Sequence, residues 1–217
     1  MSTPAHRARL VLHLRGQGIT DTDVLAAIER VPRDLFVPDA FKDQAWEDMA
    51  LPIGHGQTLS QPYVVARMAE ALQLDPRHKV LEVGTGSGYH AAVLAQLCRR
   101  VYTIERHRPL SVEAERRFKA LRLYNITVLV GDGMKGWPQQ APFDRISVTA
   151  AAVEPPPALL EQLGAGGVMV MPVGGHDGTQ DLMRYRRGPD GDIADEKLLA
   201  VRFVPLLPGI AQGSAGH

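Results

Sequence analysis

From residue 79 onward this sequence alternates short runs rich in Val, Ile and Leu with stretches of helical spacing, and nothing else in it narrows the fold as far. The runs predict strands at Lys79–Val83, Val101–Glu105, Thr127–Val130, Arg145–Thr149 and Val168–Met171, with helices between them at Tyr89–Leu97, Leu110–Leu123 and Pro157–Leu163. A strand that is apolar throughout, rather than at every second residue, is buried on both faces, and the intervening helices supply the cover. The expected fold is α/β: a doubly wound, Rossmann-like, mostly parallel sheet with helices on both faces. After Met171 the alternation lapses. Gln180–Arg186 and Leu198–Leu206 read as strands around the turn-rich Gly188-Pro189-Asp190-Gly191-Asp192, which predicts antiparallel strands at the sheet edge near the C-terminus.

The residues before the sheet follow another pattern. Leu10, Val11 and Leu14 share a helical face that Gly16 and Gly18 bring to an end, and a second helix over Asp21–Val31 stops at Pro32. Residues 33–60 show little period yet carry Phe36, Val37 and the turn-rich Leu51-Pro52-Ile53-Gly54. An irregular stretch of that length inside a compact domain is more often a binding loop or lid than a linker. A helix then runs through Val64, Val65, Met68, Ala69 and Leu72. The expected organisation is an N-terminal helical and loop extension over 1–59, integral to the domain, an α/β core over 60–208, and a polar, frayed tail over 209–217.

Composition removes several classes of function. The 217 residues hold one cysteine, Cys98, which cannot form an internal disulfide, and His55, His78, His90, His107 and His176 show no metal-ligand spacing, so no metal is expected. Lys and Arg number 24, as do Asp and Glu, so there is no basic surplus for a phosphate backbone and nucleic acid is not an expected partner. The longest apolar runs, 148–153 and 168–173, fall far short of the roughly 18 residues of a membrane span. His13 interrupts the apolar residues 11–14 that would otherwise resemble a signal-peptide core. A cytoplasmic protein acting as a monomer is expected.

Chemistry concentrates at three consecutive strand ends. The first strand runs into Glu82-Val83-Gly84-Thr85-Gly86-Ser87-Gly88 and then a helix, a spacing of GxGxG with an acid two residues ahead. A dinucleotide fingerprint, GxGxxG, would need glycine where Tyr89 stands. The second strand ends at Glu105, placed to accept the two hydroxyls of a ribose, and the third at Gly131-Asp132-Gly133, where an acid could accept from an adenine amino group. Each feature alone is an ordinary turn or strand terminus. In this order they describe a nucleoside site at the carboxyl edge of an open sheet.

These residues resemble the S-adenosylmethionine pocket of class I methyltransferases. Arg33-Asp34-Leu35-Phe36-Val37-Pro38, Leu51-Pro52-Ile53-Gly54, Gly56-Gln57-Thr58-Leu59-Ser60-Gln61-Pro62, Gly131-Asp132-Gly133 and Phe203-Val204-Pro205-Leu206 more closely resemble the protein-L-isoaspartate O-methyltransferase family, over about Val24 to Leu206. The resemblance implies methyl transfer from S-adenosyl-L-methionine to the free carboxylate of isoaspartyl residues in damaged proteins. It implies a catalytic Ser60, cofactor contacts at Thr58, Glu82, Gly84, Thr85, Gly86, Ser87, Gly88, Glu105, Asp132 and Gly133, and substrate contacts at Ile53, Gly54, Gln57 and Leu59. His55, Trp46 and His90 depart from what is common in the family.

Local sequence alone favours a humbler role for Ser60, as N-cap of the helix that follows Gln61-Pro62. The absence of a Ser/His/Asp or Cys/His signature is expected, because an acceptor carboxylate with a pKa of roughly 3.5 is already ionised and needs no general base. A relative that methylates ordinary aspartate in one dedicated peptide would carry the same motifs. A binding adaptor without turnover is disfavoured by the intact Thr58-Leu59-Ser60, and a nicotinamide oxidoreductase by Tyr89.

Overall fold

The computed structural model describes residues 4–175 and 178–212. Seven strands form one sheet: β3 (Lys79–Val83), β4 (Arg100–Glu105), β5 (Ile126–Val130), β6 (Phe143–Val148), β7 (Leu163–Val173), β8 (Gln180–Arg187) and β9 (Ile193–Val201). Their spatial order is β5-β4-β3-β6-β7-β8-β9, parallel from β5 to β7 and antiparallel from β7 to β9. The chain therefore reverses its direction of winding between β3 and β6, the point at which an open α/β sheet leaves a crevice beyond its strand ends.

Both faces are covered. Val80, Val101, Val168 and Val170 pack with α3 (Pro62–Leu72), α4 (Tyr89–Leu94) and the N-terminal helices α1 (Pro4–Gly16) and α2 (Thr22–Arg30). Leu81, Val83, Ile104, Ile146 and Met169 face the opposite layer with Leu159 of α6 (Pro157–Glu161). The remaining helix is α5 (Arg108–Ala120), whose Ala114 and Phe118 join the first of these clusters. Successive strand residues alternate between two buried layers, which is why the strands read as unbroken apolar runs.

The segment expected to be irregular contains short 3-10 turns at Arg33–Phe36 and Asp39–Gln44 and then an antiparallel hairpin, β1 (Leu51–Gly54) with β2 (Gln57–Leu59). Its tip needs left-handed backbone at Gly54 (φ +91°), His55 (φ +53°) and Gly56 (φ +67°), a conformation glycine adopts readily. Arg33 anchors the segment from below: it is fully buried, lies 4.9 Å from the centre of the Tyr89 ring and donates to the Met49 carbonyl at 3.1 Å.

Two expectations are corrected here. Ser60 does not cap α3. The N-cap position is Gln61, whose side chain makes no capping bond, and the first turn is met by Asp48, which accepts the Tyr63 N–H at 2.8 Å and the Gln61 side-chain amide at 3.1 Å. The last strand begins at Ile193 and ends at Val201 rather than spanning 198–206. Its residues Ala194-Asp195-Glu196-Lys197 form an exposed, largely charged edge that gives little apolar signal and is suited to discouraging further pairing. Beyond Val201 the Gln180 side chain takes the Phe203 N–H at 2.9 Å, and the chain leaves the sheet. The residues expected to fray are described only as far as 212, where Ala211 N–H donates to the Arg106 carbonyl at 3.0 Å; residues 213–217 lie outside the described residues.

Candidate active site

The glycine turn is built by its neighbours. Gly84 and Thr85 donate to the Ile104 carbonyl at 2.9 and 3.2 Å, and Gly88 donates to Thr85 at 2.8 Å, folding the chain back against the end of β4. Gly84 has φ +97°, and a Cβ there would stand 2.3 Å from Thr149 Oγ1, which itself donates to the Val83 and Gly84 carbonyls at 3.0 and 2.7 Å. A Cβ at Gly88 (φ +91°) would meet the Phe118 ring at 2.8 Å. These two glycines are thus required by packing within the protein.

Glu105 ties the turn to the second strand. One carboxylate oxygen accepts the Gly86 N–H at 2.8 Å and the other the His107 N–H at 2.8 Å. The residue is 4% exposed, yet it lines the cleft, so each oxygen keeps lone-pair capacity for a ligand. Glu82 lies elsewhere. It is wholly buried beneath the turn and accepts from Thr103 Oγ1 at 2.5 Å, and Thr103 in turn meets Thr85 Oγ1 at 2.6 Å. Burial pushes its carboxyl up to about 8, against the hydrogen bond from Thr103 and with the help of the nearby Glu105 charge. Glu82 therefore supports the turn from below and does not line the cleft.

The cleft, open to solvent, is lined by the turn, Glu105, Gly133 and the β2 residues Gln57, Thr58 and Leu59, with Ser60 beside them. This brings together most of the residues singled out from the sequence. Gly88 and Asp132 sit behind its wall: Asp132 accepts the Met134 N–H at 3.0 Å and lies 4.0 Å from the Lys135 ammonium. Ile53 and Gly54 line a second hollow across the hairpin, with Phe36, Pro38, Leu110 and Arg117, which shares Ser87 with the cleft.

Sequence reasoning missed part of the wall. Thr149 and Ala150 enter from the end of β6, and Val204, Pro205, Leu206 and Leu207 add a further stretch of wall. The latter segment is held by Ala151, which donates to Val204 at 2.8 Å and accepts from Leu206 at 2.7 Å. The family-like run Phe203 to Leu206 was the available signal, but as a strand it pointed to the sheet edge. Among the described residues no three His, Cys, Asp or Glu side chains gather as metal ligands, and no helix is long and apolar enough to cross a membrane.

A doubly wound sheet with a glycine turn after its first strand, a buried acid closing its second and a hairpin over the switch point defines an S-adenosylmethionine-dependent methyltransferase of class I. The residues fit that cofactor: the acid retains acceptor capacity for a ribose, and Val83, Ile104, Leu206 and Leu207 offer apolar wall to a base. The family profile for protein-L-isoaspartate(D-aspartate) O-methyltransferase matches residues 5–210. A protein-L-isoaspartate O-methyltransferase of Rhodospirillum centenum is 60% identical over 212 residues, covering 97% of this chain and 96% of that one. One from Rhodospirillum rubrum is 58% identical over 211 residues, with 97% and 96% covered. Among solved structures, a protein-L-isoaspartate O-methyltransferase superposes with a TM-score of 0.83 at 28% identity, covering 97% of this chain and 67% of that one. A Plasmodium falciparum structure assigned to the same activity, in complex with S-adenosyl-L-homocysteine, gives 0.78 at 25% identity, with 93% and 98% covered. The chain belongs to the protein-L-isoaspartate(D-aspartate) O-methyltransferase family.

Proposed function

We propose that this chain initiates repair of damaged proteins by methylating the free carboxylate of isoaspartyl residues, and that the cleft roofed by the hairpin is where transfer occurs. Bound there, S-adenosylmethionine supplies a methyl group activated as a sulfonium. Glu105 holds the ribose through the acceptor capacity left beside its two backbone bonds. The turn from Gly84 to Ser87 and Gly133 shape the cofactor's bed, and Asp132 stands behind it. Thr58 closes over the cofactor from the hairpin. Ser60 donates its hydroxyl to the acceptor carboxylate and fixes which oxygen faces the methyl group, while Ile53, Gly54, Gln57 and Leu59 bind the peptide on either side.

No residue needs to act as a base. A carboxylate of pKa roughly 3.5 is ionised at neutral pH, so the protein's work is alignment and exclusion of water. A nucleophilic anion and a sulfonium lose their charges together, which a water-poor cleft favours. The observation that carries this reading is the buried Glu105, tied to the glycine turn and facing a cleft whose roof brings Thr58 and Ser60. On this reading the enzyme works as a monomer in the cytoplasm. Labelled S-adenosylmethionine should deliver label to a peptide containing isoaspartate and not to the same peptide with aspartate. Equal labelling of both would defeat the assignment of substrate.

A further inference from the structure

His90 is a buried polar side chain of the cleft for which the proposed mechanism has no use. It lies in the first turn of α4, lines the cleft together with Ser60, Val65 and Tyr89, and is 6% exposed. Neither Nδ1 nor Nε2 has a hydrogen-bond partner among the described residues. Leaving both nitrogens of a buried imidazole unmet is unfavourable, and such groups call for a physical reason. Burial pushes its pKa down to about 4, so the ring is neutral near pH 7 and offers one N–H donor and one acceptor.

S-adenosylmethionine brings a matching group into the same cleft, the carboxylate of its amino-acid end. Arg106 is the cation among the lining residues, but it directly follows Glu105 and its guanidinium reaches the Pro208 carbonyl at 3.5 Å. The ribose is assigned to Glu105 and the acceptor carboxylate to Ser60; among the other polar side chains lining the cleft, His90 is the one with two buried side-chain nitrogens that both lack a partner among the described residues. We propose that the His90 imidazole N–H donates to the amino-acid carboxylate of the bound cofactor. The assignment rests on the cofactor reading above and adds a residue to it.

The test separates the two ends of the cofactor. S-adenosylhomocysteine carries the amino-acid end; 5′-deoxy-5′-methylthioadenosine has the nucleoside and sulfur without it. In calorimetric titrations, His90→Leu should weaken S-adenosylhomocysteine about tenfold and leave methylthioadenosine within about twofold, since losing one hydrogen bond to a charged group is an effect of that order. His90→Gln, whose amide can donate, should recover most of the loss. Equal weakening of both ligands would mean a packing role and overturn the proposal, as would unchanged binding of S-adenosylhomocysteine. A rise in KM for the isoaspartyl peptide alone would assign the donor to the substrate's carboxylate instead and overturn it too. If the unaltered protein failed to bind S-adenosylhomocysteine, the cofactor reading itself would fall, an outcome distinct from all of these.

Discussion

The imidazole of His55 lies stacked on that of His107, with ring centroids 5.5 Å apart and planes inclined by 29°. His55 is the tip of the hairpin, and the His107 N–H is bound by the Glu105 carboxylate whose other oxygen holds Gly86. A Cβ at Gly86 would stand 3.4 Å from Ile53 Cδ1, so the hairpin also approaches the turn directly. Roof, ribose acid and glycine turn are thereby one mechanical unit.

Breaking the stack should loosen the roof. His55→Ala is expected to weaken S-adenosylhomocysteine several-fold, while His55→Phe, which keeps an aromatic face, should stay near the unaltered value; ring contacts of this kind contribute roughly 0.5 to 1.5 kcal/mol. The His107 pKa is lowered, first by burial, against the pull of Glu105 and with help from Arg106 and His55. A lowered folded-state pKa means that protons favour the unfolded or opened form as pH falls below about 6.5. Affinity measured from pH 7 down to 5 should therefore fall less steeply in His55→Phe. Parallel curves for the two proteins would show that the stack has no part in it.

Glu105→Ala removes the proposed ribose acceptor and unties two backbone N–H groups together. The loss should be about 10-fold to 150-fold in affinity for S-adenosylhomocysteine, from roughly 1.5 to 3 kcal/mol for a hydrogen-bonded charge. An unchanged dissociation constant by titration calorimetry would remove Glu105 from the site.

Glu82 makes the protein less stable as pH rises. Its folded-state carboxyl sits at about 8 while the unfolded value is near 4.5, so between those values the native state holds a proton that the unfolded state has released. Stability falls through that window by up to several kcal/mol. Glu82→Gln keeps the shape and cannot ionise, so its melting temperature should exceed that of the unaltered protein at pH 8, with the advantage gone by pH 5. A difference that does not vary with pH would mean that Glu82 is ionised in the folded protein.

Ser60 and Asp48 separate chemistry from capping. Because Asp48 and not Ser60 meets the first turn of α3, Ser60→Ala should melt close to the unaltered protein while losing at least about tenfold in kcat/KM, roughly 1.4 kcal/mol. Asp48→Ala should lose about 0.5 to 2 kcal/mol of stability through the helix end. Near-normal turnover in Ser60→Ala would vacate the proposed catalytic position.

What the sequence disclosed and what it withheld follow from the range of the interactions involved. Strands β3 to β7 were legible because a sheet covered by helices on both faces favours short Val-, Ile- and Leu-rich runs, and the GxGxG turn because left-handed backbone selects glycine locally. The capping of α3 was not, because its carboxylate comes from residue 48, fifteen positions before Tyr63. Thr149 was invisible for the same reason: what matters is its closeness to Gly84, 65 residues earlier in the chain. Strand β9 hid behind Asp195-Glu196-Lys197, residues chosen by an exposed edge rather than by a core.

The pairing of Ala151 with residues 204–206 bears on when this protein becomes competent. A chain emerging from the ribosome delivers the glycine turn and Glu105 early, yet the wall formed by Val204 to Leu207 arrives about a hundred residues later, at roughly five to ten seconds of synthesis even at fast rates. Until then one side of the cleft is missing. Cofactor in the cell can therefore lend little stability to the nascent sheet, which must stand first on its own apolar layers, and ligand capture becomes a mark of a chain synthesised past Leu207.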